Sequence, residues 1–288
     1  MNYLISLLLG VVEGVTEFLP VSSTAHLRLA EAIFKLPLDQ PFWKMYTVVI
    51  QLGAVLCLPV YFRKEIVRFA RSFPRGENND KTIFTHPLSL TMIAFVITAG
   101  PSYLLSKKIG QNLDNFAVIG DALLIGGAVM WAVDALFTRP TTPNMDNMSI
   151  SQAIWIGAVQ ILSAVFPGTS RSMATIAAGQ VAGLSRAAAL EFSFFLSIPT
   201  MFAATLFALK KAVLPSHAEP GDAFSPGHMT AEQWIILLIG FVVSFFVAWG
   251  VVAWFMAWVR RRGFVPFAIY RIVLGLGVLI WLYGHRAV

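Results

Sequence analysis

The side chains best suited to chemistry lie in two short stretches of the chain. The first contains two carboxylates, Glu13 and Glu17, followed by a hydroxyl at Ser23 and an imidazole at His26. Because four residues separate the carboxylates, a helix places them one turn apart on the same face. Two acids at that distance either share a proton or hold a cation between them. The alternative is that they satisfy backbone or lysine groups.

Ser23 and His26 lie three residues apart, near one helical face, which suits a nucleophile and its base. The chain restarts as a helix after Pro20, so one of Ser22, Ser23 and Thr24 is also predicted to cap its first turn. Ser22 and Thr24 are candidate phosphate-binding residues as well. A serine and threonine cluster alone indicates a cap, and a single buried histidine is usually structural. Beside two carboxylates, however, the pair forms an acid–base constellation in which His26 has two candidate roles, base or nucleophile.

The second stretch combines a glycine, four hydroxyls and an arginine around a helix start: Gly168, Thr169, Ser170, Arg171, Ser172 and Thr175. Free N–H groups at a helix start attract an anion, and the guanidinium fork of Arg171 suits phosphate oxygens. Alternatively, Arg171 reaches the membrane interface or pairs with Glu13 or Glu17.

If the two stretches meet, positive groups hold the phosphate oxyanions while a nucleophile and an acid or base act on the phosphate. That combination is typical of phosphoryl transfer.

The elements that carry these side chains are predicted to be membrane helices. Of the 288 residues, 57% are hydrophobic and 12% are charged, whereas soluble domains carry about twice that fraction of charge. The net charge of +6 comes from basic residues scattered among segment ends, which favours topogenic charge over nucleic-acid binding. An ionisable group at membrane depth costs on the order of 3 kcal/mol, so the acids of the first stretch mark a site.

Six stretches are long and apolar enough to cross a bilayer, which needs about 20 helical residues. They are residues 42–62, 87–105, 116–137, 187–209, 233–258 and 264–284. Two further regions, 2–35 and 150–184, are pairs of shorter helical patterns broken at Pro20 and Pro167. Each half is too short to span alone. Both regions are therefore predicted to be re-entrant hairpins whose interrupted backbone is covered by protein or a polar cavity.

The two broken regions resemble each other. A shift of 147 residues aligns Gly10 with Gly157, Glu13 with Gln160, Pro20 with Pro167 and Ser23 with Ser170, and it keeps the spans in order. The chain is therefore predicted to be a duplication, with residues 1–140 and 148–288 each forming one hairpin and three spans. Because each half crosses the membrane an odd number of times, the halves are inverted. The predicted fold is an all-α polytopic membrane protein built as one integrated domain.

Orientation follows from the basic residues. Loop 63–86, Arg139, Arg186 and residues 260–262 share one face and hold most of the positive charge. The positive-inside rule places that face in the cytoplasm and both termini outside it. The hairpins then enter from opposite faces and meet near the midplane.

These residues resemble the undecaprenyl-diphosphate phosphatase family associated with bacitracin resistance, over essentially the whole chain. The similar blocks are residues 13–26 (EGVTEFLPVSSTAH), 48–53 (VVIQLG), 167–175 (PGTSRSMAT), 191–194 (EFSF) and 265–271 (VPFAIYR). The resemblance implies hydrolysis of undecaprenyl diphosphate to the monophosphate and inorganic phosphate, which recycles the lipid carrier for cell-wall synthesis. It also implies the inverted-repeat fold, a site facing the outside of the bacterial plasma membrane, and dependence on a divalent cation, Mg²⁺ or Ca²⁺.

The resemblance also assigns roles to individual residues. Glu13 and Glu17 match the acidic motif and are the candidate metal ligands, and Ser23 and His26 match the proposed nucleophile or base. The phosphate-binding signature corresponds to Ser170, Arg171 and Thr175.

Two polar residues in the spans are candidates to support the site from behind. Gln51 either hydrogen-bonds a hairpin or links helices, and Arg271 either supports the site or snorkels to the interface. The chain departs from the family pattern at Ala25, where glycine is common, and at Met173, where a small residue is usual. Met173 is therefore predicted to narrow the pocket and to affect substrate preference.

The predicted function is a lipid diphosphate phosphatase. Arg171, Ser170 and the helix starts hold the diphosphate while Ser23 attacks it with His26 as base, and His26 as nucleophile is the second option. The rival function is a secondary transporter or flippase of an anionic or lipid-phosphate substrate, since broken helices in inverted repeats are typical of transporters too. Predicted partners are a polyprenyl diphosphate and membrane lipids, with no nucleic acid. The sequence leaves open whether a homodimer forms.

Overall fold

The computed structural model describes residues 2–36, 40–105, 115–213 and 229–286, and within these ranges it contains helices and no strand. The helices are α1 (Asn2–Thr16), α2 (Ser23–Ile33), α3 (Pro41–Tyr61), α4 (Arg63–Ser72), α5 (Pro87–Leu104), α6 (Phe116–Leu136), α7 (Ile150–Val165), α8 (Arg171–Val181), α9 (Arg186–Val213), α10 (Ala231–Val259) and α11 (Val265–Arg286). Six of them, α3, α5, α6, α9, α10 and α11, are long and apolar enough to cross a membrane. The predicted all-α, multi-pass membrane fold is confirmed.

Helix α4 was not predicted. Its many basic residues indicated a loop at 63–86, although they include a short amphipathic pattern. Its buried residue is Phe69, whose ring packs edge-on against Phe195 of α9 at 5.5 Å between centroids. The guanidinium of Arg68 lies 4.4 Å from the centre of the Phe69 ring and also pairs with Asp146 at 3.2 Å. The basic loop is thereby attached to the bundle.

Each broken region folds back on itself. Helix α2 returns to the beginning of α1 and α3, where Leu27 packs in one apolar cluster with Leu9 and Trp43. Helix α8 returns to the beginning of α7, where the Gln152 amide donates to the carbonyl of Ala182 at 2.8 Å. Both regions are therefore helical hairpins whose breaks lie inside the bundle.

The two hairpins begin at opposite ends of the bundle. Helices α1, α3 and α10 run parallel, because Ser6 donates to the carbonyl of Ile236 at 2.7 Å and Ser244 donates to the carbonyl of Ile50 at 2.8 Å. The other end gathers the last turn of α6 and the starts of α9 and α11. There, Asp134 accepts from Arg186 at 2.6 Å and from the Phe264 N–H at 2.9 Å.

Close helix contacts link the two halves of the chain. In the first hairpin, Gly10 of α1 faces the Gly240 carbonyl of α10, and in the second, Gly157 of α7 faces the backbone of Ala94 in α5. A Cβ at Gly157 would lie 2.5 Å from the Ala94 oxygen, so only glycine fits there. Each hairpin therefore packs on a span from the other half, as a two-fold relation between halves would require.

Candidate active site

The hairpin breaks end in matching helix caps. Ser22 precedes α2 with φ 76° and Ser170 precedes α8 with φ 68°, and each hydroxyl accepts from the backbone N–H three residues on, at 3.3 Å. Serine rarely adopts this left-handed backbone conformation, and such strain concentrates at functional sites. The caps also correct the repeat alignment, which paired Ser23 with Ser170. Ser22 is the counterpart of Ser170, so Ser23 corresponds to Arg171.

These two equivalent residues, Ser23 and Arg171, meet on one carboxylate. The Ser23 hydroxyl donates to Glu17 Oε2 at 2.5 Å, and Arg171 Nη2 donates to Glu17 Oε1 at 3.0 Å. Glu17 is 7% exposed, so both contacts form away from water. Glu17 therefore links the first residue of α2 to the first residue of α8, the second helices of the two hairpins.

His26 does not contact Ser23. Its Nδ1 lies 2.7 Å from the carbonyl of Ser22, and because a carbonyl can only accept, Nδ1 carries a proton. Its Nε2 lies 2.7 Å from the Tyr270 hydroxyl, and the two rings stack with 5.6 Å between centroids. The predicted Ser23–His26 pair is therefore not formed, because the His26 ring turns back toward its own helix cap and α11. Sequence reasoning missed Tyr270, although it lies in the family-like block beside Arg271.

Glu13 lies one turn before Glu17 and is fully buried, and neither of its carboxylate oxygens has a hydrogen-bond partner. An unpartnered buried carboxylate is a suitable ligand for a hard cation. Mg²⁺ and Ca²⁺ accept such oxygens, and Mg²⁺ commonly takes one or two carboxylates together with phosphate oxygens of the substrate. No cluster of three or more histidine, cysteine or acidic side chains occurs in the described part of the chain. The residues fit a divalent cation that is completed by substrate oxygens.

Arg171 retains free donors. Its Nε and Nη1 atoms are buried and have no hydrogen-bond partner, while Nη2 is held by Glu17. The guanidinium also lies 5.9 Å from the centre of the Phe18 ring. Free guanidinium donors beside the start of α8 suit the oxygens of a phosphate group.

The neighbouring hydroxyls hold the hairpins together. Ser172 donates to the carbonyl of Leu19 at 2.9 Å, which joins the two breaks directly. Thr175 donates to the Arg171 carbonyl at 3.0 Å and lies 2.6 Å from the Ser193 hydroxyl of α9. These two of the predicted phosphate-binding hydroxyls, Ser172 and Thr175, are buried and hydrogen-bonded to protein atoms.

Arg271 hydrogen-bonds the backbone of both hairpin breaks. It is fully buried in α11 and donates to the carbonyls of Pro20 at 3.3 Å and of Gly168, Thr169 and Ala122 at 3.0 Å each. It does not snorkel, because its guanidinium satisfies carbonyls that the broken helices leave without partners. Room for it comes from Gly126 in α6, where a Cβ would collide with Arg271 Nη2.

Comparison with known proteins identifies the family of this chain. The model of the family described as bacitracin resistance protein BacA matches residues 6–277. The chain belongs to this family. A relative from Koribacter versatilis, named undecaprenyl-diphosphatase, is 61% identical over 280 residues, covering 97% of this chain and 98% of its own length. Relatives of the same name from Rhizorhabdus wittichii and Thermus thermophilus are each 40% identical and cover 98% and 93% of both chains, respectively.

Three remaining predictions concern residues near this BacA-family site. Gln51 is partly buried in α3, and neither a hairpin nor a neighbouring helix hydrogen-bonds its side chain within the described residues. Ala25 is fully buried against Ile119 of α6. Met173 is 5% exposed and belongs to the main hydrophobic core, so it fills space between helices rather than lining an opening.

Proposed function

We propose that this BacA-family membrane protein hydrolyses undecaprenyl diphosphate to undecaprenyl phosphate and inorganic phosphate. The observation that carries the proposal is the bridge from Glu17 to Ser23 and Arg171, which joins a nucleophile, a base and a phosphate ligand. The names of the relatives support the same substrate. The reaction recycles the lipid carrier for cell-wall synthesis and confers bacitracin resistance.

The terminal phosphate binds between the starts of α2 and α8. Arg171 supplies its two free donor atoms and the helix starts supply N–H groups and a positive dipole end. Because Arg171 also pairs with Glu17, an arriving phosphate competes for the guanidinium and releases the carboxylate to act as a base. The lipid tail extends sideways into the membrane.

Glu17 takes the role first given to His26. Ser23 attacks the terminal phosphorus while its hydroxyl proton passes to Glu17, an Oγ–P bond forms, and the bond to the bridging oxygen breaks, releasing undecaprenyl phosphate. Water then attacks the seryl phosphate, and the Oγ–P bond breaks as Glu17 returns its proton to Ser23 and accepts one from the water. His26, held between Ser22 and Tyr270, positions the start of α2.

A divalent cation would be held by Glu13 and Glu17 together with phosphate oxygens. When bound, Mg²⁺ or Ca²⁺ supplies positive charge that stabilises the phosphate oxygens as bonds rearrange. The unpartnered oxygens of Glu13 support this assignment.

The two halves are inverted repeats and the site opens to the outside of the bacterial plasma membrane. Support comes from the hairpins, which begin at opposite ends of the bundle, and from the distribution of charge. Arg186 at the start of α9 and residues 260–262 after α10 lie at the end from which the second hairpin enters. The positive-inside rule assigns that end to the cytoplasm.

Phosphate release from a polyprenyl diphosphate by the purified protein tests the function. Arg171→Ala and Glu17→Gln should abolish release, while each variant still elutes from size-exclusion chromatography in detergent as the folded parent does. The exposed residues Arg71 and Glu232 offer matched controls, because Arg71→Ala and Glu232→Gln remove the same groups outside the site. Normal turnover in both site variants would overturn the proposal. Transport of the lipid phosphate across proteoliposomes without phosphate release would favour the transporter instead.

A further inference from the structure

A second concave surface lies at the basic end of the bundle, away from the hairpin breaks. It encloses about 650 Å³ where the last turns of α3 and α10 meet, and it shares no lining residue with the catalytic site. Its lining includes Tyr61, Trp254, Trp258, Arg260, Arg261 and Arg262, together with Ala253 and Ala257. We refer to this surface as the arginine groove.

The walls of the arginine groove combine an apolar floor with a cationic rim. The rings of Trp254 and Trp258 lie 5.3 Å apart between centroids, and the small side chains of Ala253 and Ala257 leave open space along α10. The Arg262 guanidinium lies 4.8 Å from the centre of the Trp258 ring. An indole pair at the edge of a membrane span is typical of the level of lipid headgroups.

The three arginines of the rim lack acidic partners. Arg260, Arg261 and Arg262 are exposed, and none forms an ion pair with a described residue. Glu65 and Glu191 lie within electrostatic range of this region, and neither of them pairs with an arginine of the groove. The groove itself contains no carboxylate, so its charge is complementary to an anion that also carries apolar chains.

We propose that the arginine groove binds an anionic glycerophospholipid. The headgroup phosphate contacts the three guanidinium groups, and an acyl chain lies along Ala253 and Ala257 beside the indole rings. Basic pockets between membrane helices favour such headgroups, and each arginine near an anionic lipid adds about a fivefold preference. This site does not depend on the phosphatase reaction.

Native mass spectrometry of the full-length protein in neutral detergent tests the proposal, with phosphatidylglycerol and phosphatidylcholine of identical acyl chains as probes. The parent should retain phosphatidylglycerol with at least about a fivefold preference. The triple variant R260Q/R261Q/R262Q should lose that preference. The control R63Q/R71Q/R75Q removes three exposed charges from the same end outside the groove and should keep it.

A second variant removes the space but leaves the charge. Ala257→Phe fills part of the groove beside the indoles and should weaken retention of phosphatidylglycerol. The melting temperature and phosphate release should be unchanged in both this variant and the arginine variant. Equal loss in the two triple variants, or no preference in the parent, would overturn the site. Displacement of phosphatidylglycerol by inorganic phosphate alone would overturn the glycerophospholipid assignment in favour of a simple anion site. Tighter retention of a polyprenyl monophosphate than of phosphatidylglycerol would overturn it as well.

Discussion

At the residue scale, the carboxylate of Glu17 links the two hairpins. One oxygen accepts a hydrogen bond from the Ser23 hydroxyl and the other accepts one from the Arg171 guanidinium. The proposed nucleophile and the proposed phosphate ligand are therefore positioned by one group. Charge-assisted hydrogen bonds of this kind are short and about twice as strong as neutral ones. The fully buried Glu13 lies one turn before Glu17, and its carboxylate interacts with that of Glu17.

Replacement of Ser23 tests which residue is the nucleophile. Ser23→Ala should lower kcat at least about a hundredfold, because the attacking oxygen is removed while Arg171 and Glu17 still bind phosphate. Phosphate release from a polyprenyl diphosphate measures the effect, and the exposed Ser151→Ala is the control. Trapping of a covalent phospho-adduct in the parent should place the phosphate on Ser23. A phosphate on His26 would contradict the assignment.

Tyr270 is expected to position His26 rather than to react. Tyr270→Phe removes one hydrogen bond to Nε2 but keeps the stacked ring, so kcat should fall about fivefold with little change in KM. Because Tyr270 is 45% exposed, the melting temperature should not change. Tyr283→Phe, also exposed and in the same helix, is the matched control and should leave kcat unchanged. Equal activity in both variants would exclude a role for Tyr270.

At the scale of elements, the sequence predicted the helices better than their mutual contacts. Hydrophobic length defined the six spans, and proline with small polar residues defined the two breaks. The register of the repeat was one residue wrong at the caps, because the equivalent caps Ser22 and Ser170 require a shift one residue longer than the shift that aligns Pro20 with Pro167. The partner of His26 and the burial of Arg271 depend on α11 packing behind both breaks, and no local pattern encodes that packing.

Gly126 provides a test of how the breaks are fastened. Gly126→Ala adds a methyl group that collides with the Arg271 guanidinium, so the four carbonyl contacts of Arg271 should be disturbed. Overpacking of this kind typically costs about 1–3 kcal/mol. The melting temperature and the rate of phosphate release should both fall, although no functional group has been removed.

A matched control for this prediction lies in α11. Gly277 is also within a helix, but a Cβ there meets no atom within 4 Å. Gly277→Ala should therefore leave both measurements unchanged, or raise the melting temperature slightly because alanine favours helix. If Gly126→Ala behaves like Gly277→Ala, Arg271 is not the fastener of the breaks.

At the scale of the whole molecule, the direction of every span decides which side the site faces. Helices α3 and α10 run parallel from one end, and α9 and α11 begin at the other, where the last turn of α6 lies. The positive-inside rule predicts that the basic end lies in the cytoplasm and that the first hairpin, with its proposed catalytic groups, enters from outside. A phosphatase that acts on a diphosphate released outside the cell needs this orientation.

Labelling of introduced cysteines with a membrane-impermeant maleimide tests that orientation directly. The natural Cys57 is fully buried, so it should give no background. Gln40→Cys and Glu232→Cys lie in exposed positions before α3 and at the start of α10, and both should be labelled on intact cells. Arg75→Cys and Arg139→Cys are exposed at the basic end and should be labelled only after the membrane is permeabilised. The reverse pattern would place the catalytic hairpin on the cytoplasmic side, and labelling of all four on intact cells would contradict the crossing directions.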